Sequence, residues 1–460
     1  MMSRSGECSG ELVARANGDG IVHLWAVLDL SIRLAEVLFA SGAGAEEATT
    51  TMSIVAESYG VGGTTADVTH TMLTLTWTDP DTHESVSRRR IIRERGLDYA
   101  RLASAAALIT RISDRKIGIE AARRRLSVIL SGPPQVPRLL RRAGWSLIGA
   151  GAAVLFGGGW LVAAVAFGAS FVLEAISTGL GFRRVPVFYQ SVLGGVIGPV
   201  AAALVHYIDP DASSSLVVVA TIVVLLAGVT TFGAVQDTLT GFYVTGLARM
   251  TEAVVITVGI AAGIIGTSLL LARVGVPLVI SVSEARSSHG PTVTIVAAIV
   301  IVVGFALAAQ LPWRALGAVV VLGAATEFFY LLSIAAGAGT VWGSALTAVV
   351  IGALASLSAR LTRTPPLPTV VTSLVPLLPG FVLFNGLMQV ADGSVTGLLG
   401  MFTAAAVAGA LAAGAILGQF LIDLAVSPVR GPRRVTGPLL ALPARFSRKR
   451  SQRRDSEAPH

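Results

Sequence analysis

The sequence predicts a mainly α, polytopic membrane protein with about ten transmembrane helices in two inverted five-helix repeats, preceded by a small α+β cytoplasmic domain. Three observations predict it. Near Gly144 an Arg-rich, soluble-looking segment gives way to an almost unbroken apolar block that ends near Ala425. Apolar spans joined by short loops persist only where every backbone group is bonded within its own span, which is the condition a bilayer imposes. The short loops alternate between basic and acidic, and the second half of the block echoes the spacing of the first.

Composition agrees. Of 460 residues 53% are hydrophobic and only 13% charged, and the 50 glycines suit helices that approach closely in lipid. The net charge of +8 is not a nucleic-acid signal once the charges are located. Between Arg88 and Arg142 fifteen Arg/Lys face four acids, and nine more lie between Arg430 and Arg454. Both clusters flank the apolar block, as the positive-inside rule requires, so no nucleic acid is expected as partner. The single Cys8 excludes an internal disulfide. Residues Met1 to Gly20 lack an apolar signal-peptide core, so the N-terminal segment is expected to stay in the cytoplasm.

Residues 1–24 read as a disordered start and 25–132 as the cytoplasmic domain. Trp25, Leu28, Ile32, Ala35 and Phe39 recur at helical spacing up to Ser41-Gly42, and a second helix runs from about Glu46 to Tyr59 before Gly60. Leu73, Leu75 and Trp77 alternate with threonines as a half-buried strand; Asp79-Pro80-Asp81 turns, and His83 to Val86 begins the return. Helices over about Gly96–Ser113 and Ile117–Leu130 close the domain, and 133–142, with Pro133, Pro134 and Pro137, is a linker. His70, Asp67, Asp79, Asp81 and His83 have no zinc or EF-hand spacing and read as turn chemistry, so neither metal nor cofactor is expected.

The first membrane repeat, 143–273, holds spans near Ala143–Gly157, Trp160–Leu180, Val187–Tyr207, Leu216–Val235 and Glu252–Leu271. After an outer loop, 274–292, the second repeat, 293–425, holds spans near Val293–Gln310, Leu316–Ala336, Trp342–Ala359, Thr369–Val390 and Gly397–Ile422. A basic tail, 426–460, follows. With both termini cytoplasmic, Arg183-Arg184, Arg249, Arg314, Arg360, Arg363 and the tail fall inside, whereas Asp209, Asp211 and Asp392 fall outside. Leu226-Ala227-Gly228-Val229 with Phe232, Gly233 and Asp237 matches the spacing of Leu378-Pro379-Gly380-Phe381 with Phe384, Asn385 and Gln389. Five spans per unit force the second copy to enter from the opposite side. Inverted repeats with helices broken at Gly228, Pro379 and Gly380 suit an alternating-access carrier.

On Leu34-Ala35-Glu36, Ser41-Gly42-Ala43, Gly60-Val61, the strand and basic helices behind them, and the Ala227-Gly228 and Pro379-Gly380 sites, the chain resembles the threonine/serine exporters. Ala227 departs from the proline expected in a first repeat. The resemblance implies export of small hydroxyl amino acids, threonine and serine, driven by the proton motive force across the cell membrane, with no catalytic signature.

Residues for that chemistry are scarce. An ionised side chain at the bilayer centre costs about 3 kcal/mol or more, so the intramembrane acids Glu174, Asp237 and Glu327 are candidate substrate and proton sites. Glu174 shares a polar stripe with Ser170, Ser177 and Thr178; Glu327 stands with Thr326 and Tyr330; Asp237 lies near the cytoplasmic end of the fourth span. Asn385 and Gln389 follow the Pro379-Gly380 break and are candidates for the substrate hydroxyl. Glu252 is expected to pair with Arg249, three residues away, and Asp423 to cap the last span. A membrane-embedded enzyme or sensor centred on the N-terminal domain is the alternative reading. Membrane lipid is the surrounding partner, and glycine-rich outer faces permit a homodimer.

Overall fold

The computed structural model describes residues 5–92, 95–209, 213–276 apart from 224, 226 and 227, 289–391, and 393–426. The N-terminal domain comprises α1 (Ser5–Ala40), α2 (Ala45–Ser58), β1 (Thr64–Val68), β2 (Met72–Thr78), β3 (Ser85–Ile91), α3 (Tyr99–Ser113) and α4 (Ile119–Ser131). Helix α1 begins at Ser5, well before the Trp25 start expected from the sequence, because apolar spacing marks only the part of a helix that packs on a core. The chain leaves α1 at Gly42, whose φ of 109° favours glycine.

The sheet is antiparallel in the order β1-β2-β3, with β2 central. Its inward residues Leu73 and Leu75 are fully buried against Leu28, Ile32, Phe39 and Met52. A two-stranded hairpin was the expectation; β1 is the addition. Thr64-Thr65-Ala66-Asp67-Val68 is too polar to display a buried face, and pairing with β2, Thr64 opposite Trp77 and Val68 opposite Leu73, supplies the strand that local pattern does not.

The apolar block forms α5 (Arg138–Leu155), α6 (Trp160–Phe182), α7 (Val187–Ile208), α8 (Ser214–Ile222), α9 (Gly228–Leu239) and α10 (Tyr243–Arg273). It continues with α11 (Pro291–Ala308), α12 (Trp313–Ala335), α13 (Gly339–Thr362), α14 (Pro366–Leu374), α15 (Gly380–Ala391) and α16 (Thr396–Val426). Among the described residues seven helices are long and apolar enough to cross a membrane, or eight if bent α14–α15 is one span. That is fewer than the ten expected. Helix α5 opens on Arg138, Arg141 and Arg142, and the fourth stretch is divided between two short helices, α8 and α9. The expected outer loop lies mostly outside the described residues, as do Asp211, Asp392, Ala227 and the basic tail.

Small residues set the packing. Helices α5 and α11 cross where a Cβ on Gly144 would lie 2.6 Å from the Gly304 carbonyl, and Gly151 faces Ala297 and Ile301. Gly195 and Gly263 bring α7 against α10; Gly352, Gly414 and Gly418 bring α13 against α16. Helix α8 packs on α5, α6 and α7, while α14 packs on α11, α12 and α13. Outward residues such as Leu269, Leu270, Val321, Leu346 and Phe402 are exposed, as a lipid-facing belt requires.

The N-terminal domain is seated on this bundle. The Tyr99 N–H donates to the Ala309 carbonyl at 2.9 Å, and its ring meets Phe305 with centroids 6.4 Å apart. Thr245 on α10 donates to the Val68 carbonyl at 3.1 Å.

Candidate substrate site at the broken helices

Two interrupted helices meet inside the bundle. Helix α8 stops at Ile222 and α9 starts at Gly228; α14 stops at Leu374, passes through a 3-10 turn over Val375–Leu377, and α15 starts at Gly380 with a 44° change of axis. Pro376 and Pro379 have no N–H to donate, so a continuous helix cannot form there. The two starts touch: a Cβ on Gly228 would lie 3.1 Å from Leu378 Cβ and 3.5 Å from the Gly380 nitrogen. Each start leaves backbone N–H groups without helical acceptors and carries the positive end of a helix dipole. Their meeting therefore makes an electropositive point inside apolar surroundings, suited to a carboxylate.

Beyond Gly380, Phe384 and Asn385 are buried and Gln389 half-buried. Gln389 Nε2 donates to Asn385 Oδ1 at 3.3 Å, and Thr396 Oγ1 donates to Gln389 Oε1 at 3.3 Å. Asn385, Gly386, Gln389, Thr396, Gly400 and Thr403 line a cavity of about 310 Å³ between α15 and α16. Its polar lining is uncharged.

The acids are dispersed. Glu174 is half-buried on α6 and accepts from Thr178 Oγ1 at 3.0 Å. Glu327 is fully buried on α12. Helix α6 packs on α5, α7 and α8, whereas α12 packs on α11, α13 and α14, so the two carboxylates occupy separate halves of the bundle.

Asp237 belongs to a third environment. It forms an ion pair with Arg249 at 2.9 Å and accepts the Ala45 N–H, at the start of α2, at 2.9 Å. Arg249 Nη2 also donates to the Ala43 carbonyl at 3.2 Å. Asp237 thus ties α9 to the N-terminal domain. The expected Arg249–Glu252 pair is replaced: Glu252 lies 3.6 Å from His70 Nε2, because Gly233 leaves the space through which the Arg249 guanidinium reaches α9. Asp423 pairs with Arg360 at 3.1 Å. In the turn before β3, Asp79 accepts the Asp81 N–H at 2.9 Å, and among the described residues no three His, Cys, Asp or Glu converge as a metal site would need.

A family model described as "Putative threonine/serine exporter" matches residues 29–271, and a second, "Threonine/Serine exporter, ThrE", matches 294–421. The chain belongs to the threonine/serine exporter family. It is 31% identical over 433 residues to a protein of Mycobacterium tuberculosis (strain ATCC 25618 / H37Rv) named "Probable threonine/serine exporter", covering 92% of this chain and 80% of that one. It is 28% identical over 406 residues to the "Threonine/serine exporter" of Corynebacterium glutamicum, covering 86% and 82%. No solved structure gives a significant match. The family is one of exporters rather than enzymes, which sets aside the enzyme alternative.

One group of this exporter-family chain escaped the sequence reading. Thr369, Thr372 and Ser373 are buried on α14, and their hydroxyl oxygens have no hydrogen-bond partner among the described residues. Elsewhere in the bundle Thr221, Thr257, Thr267 and Thr326 bond the carbonyl one turn back. Spacing of three and four places the α14 hydroxyls on one helix face, a signal the sequence did carry.

Proposed function

We propose that this chain is a secondary exporter of small hydroxyl amino acids, threonine and serine, driven by the proton motive force in the cell membrane. The meeting of the α9 and α15 starts within a membrane-embedded bundle carries the reading. A zwitterion needs N–H donors for its carboxylate and an anion for its ammonium. The helix starts supply the donors, and Glu174 and Glu327 are the candidate anions and proton carriers. Asn385 and Gln389 suit the side-chain hydroxyl, with Thr372 and Ser373 as further donors and acceptors.

Ten spans follow if α5 crosses and the pairs α8–α9 and α14–α15 each count once. Inversion of the two halves is supported by their internal correspondence. Trp160 and Trp313 open α6 and α12, and Glu174 and Glu327 stand fourteen positions further on. The displacement that relates these acids carries Gly144 onto Ala297 and Gly151 onto Gly304. The Gly144–Gly304 contact therefore has its image in the Gly151–Ala297 contact, as a two-fold axis between α5 and α11 demands. Both termini then lie in the cytoplasm, and the lipid-facing glycines permit a homodimer.

Efflux from cells loaded with a threonine dipeptide tests the function. Threonine export above that of a deletion strain, abolished by a protonophore, is expected; export indifferent to the protonophore would remove the proton coupling.

A further inference from the structure

The N-terminal domain touches the carrier at its most strongly bonded point, and a carboxyl group with no assigned role sits there. Glu47, in the first turn of α2, is 2% exposed. Its Oε2 accepts the Gly44 N–H at 3.2 Å, and Oε1 has no hydrogen-bond partner among the described residues. Gly44 is wedged against α9: a Cβ there would lie 3.3 Å from both Asp237 Oδ1 and Gln236 Nε2. The next residue donates its N–H to Asp237, and the preceding one gives its carbonyl to Arg249. Residues 43–45 thus carry the bonds to Asp237 and Arg249, and the Gly44 N–H between them folds back onto Glu47.

We propose that Glu47 binds a proton at the junction of α2 and α9, and that release of this proton unlatches the N-terminal domain from the end of the half-helix. The proposal rests on the exporter reading only for its consequence in transport. Burial, reinforced by Glu46 and Asp237, pushes the Glu47 carboxyl up to about 8, while the Gly44 N–H opposes the shift. The titratable groups facing it are Glu46 on α2, Asp237 on α9 and Tyr99 on α3; Asp237 in turn meets Arg249 on α10 and the field of Arg95, which lies with His70 and Glu252. From α1, Phe39 lies under the Arg95 and Arg249 guanidinium groups, and from β1 the Val68 carbonyl takes the Thr245 hydroxyl. The nearby acids of α1 and β1 are engaged elsewhere, Glu36 with Arg90 and Asp67 with the Val68 N–H.

The sign follows from linkage. Asp237 is the part of the upward shift that docking on α9 supplies, so Glu47 holds its proton more tightly when docked, and docking is favoured at low pH and weakens as pH rises through about 8. The ionised Glu47 would stand unpaired beside Asp237, whose cation is already shared with the Ala43 carbonyl. Opening the latch frees the end of α9 to move. An alkaline cytoplasm, the signature of a strong proton motive force, therefore switches the carrier on.

The test uses the full chain in proteoliposomes, with Cys8→Ser removing the native thiol and Thr245→Cys placing a probe under the docked domain; Thr245 is 1% exposed. Maleimide labelling is followed from pH 6.5 to 9 and divided by the rate in the same protein carrying Glu47→Gln, which cancels the reagent's own pH dependence. The ratio is expected to climb between pH 6.5 and about 8, by at most about tenfold per pH unit, because the docked form holds more proton than the open one there, and to level off above. A ratio that does not change with pH overturns the proposal. Should Thr245→Cys label fast at pH 6.5 in both proteins, amide exchange of the 43–48 segment in the protein with Thr245 intact, again relative to Glu47→Gln, decides by the same criterion. In parallel, threonine counterflow should rise with pH on the domain side and become flat in Glu47→Gln. Labelling that follows Glu47 with no counterflow at any pH would retain the latch and reject the exporter reading.

Discussion

Helices α9 and α15 begin alike and end differently. Each starts at a glycine, each buries a phenylalanine four positions on (Phe232, Phe384), and each places a polar residue nine positions on, Asp237 or Gln389. Twenty-one positions on stand Arg249 and Met401. Asp237 and Arg249 fasten α9 to the N-terminal domain, while Gln389 lines the cavity beside α15. The shared parts form the crossing point; the differing parts fix one half-helix and leave space along the other. Matched positions along the two helices thus carry different contacts, an ion pair to the N-terminal domain beside α9 and an uncharged cavity wall beside α15.

The comparison can be broken most severely at Arg249. Arg249→Ala removes the ion-pair partner of buried Asp237, leaving the Ala45 N–H and the field of Arg95, and loss of one partner of a buried pair costs about 3–5 kcal/mol. A large fall in detergent melting temperature is expected. The double variant Asp237→Gln, Arg249→Met gives α9 and α10 the residues that α15 and α16 have at these positions and should recover most of that loss. Failure to recover would mean the ion pair contributes more than mutual neutralisation.

The crossing point is the next target. Gly228→Val directs a branched side chain at Leu378, where its Cβ alone would lie 3.1 Å from Leu378 Cβ, and overpacking of this kind costs about 1–3 kcal/mol. If the two starts must slide past one another in the transport cycle, counterflow should fall at least about tenfold while the protein still reaches the membrane. Wild-type counterflow in Gly228→Val would detach the crossing from transport.

The two acids sharpen the contrast between the halves. Glu327 is fully enclosed, whereas Glu174 is half-buried and bonded to Thr178. Glu327→Gln is expected to abolish proton-coupled efflux and Glu174→Gln to lower it several-fold, both with normal membrane expression. Equal, wild-type rates would remove both as site residues.

Much of the bundle was legible because burial in lipid demands long apolar runs, and those run nearly where the helices do. The helix starts at Gly228 and Gly380 were legible for a local reason: proline and glycine act within a turn of where they stand. The latch was not legible. Ala45 and Asp237 are 192 residues apart, and nothing in the period or composition of either segment names the other. Local reasoning paired Arg249 with Glu252; the pairing that occurs depends on the gap at Gly233, which is visible only when α9 and α10 are packed together. Strand β1 was hidden likewise, since its threonines become a strand only by lying beside β2.

The smallest effect separates substrate recognition from packing on α14. Displaced by the interval that carries Gly380 onto Gly228, Thr369 and Thr372 fall on Val217 and Ala220, which are buried and apolar. Thr369→Val and Thr372→Ala therefore make the second half resemble the first. Removing a buried hydroxyl that has no partner among the described residues relieves a desolvation cost of about 1–3 kcal/mol, so the melting temperature should hold or rise by a few degrees. If the same hydroxyls meet the substrate, the KM for threonine should rise several-fold while that for alanine, which lacks the hydroxyl, stays the same. A lower melting temperature with unchanged selectivity would make the α14 hydroxyls structural and confine recognition to the cavity along α15.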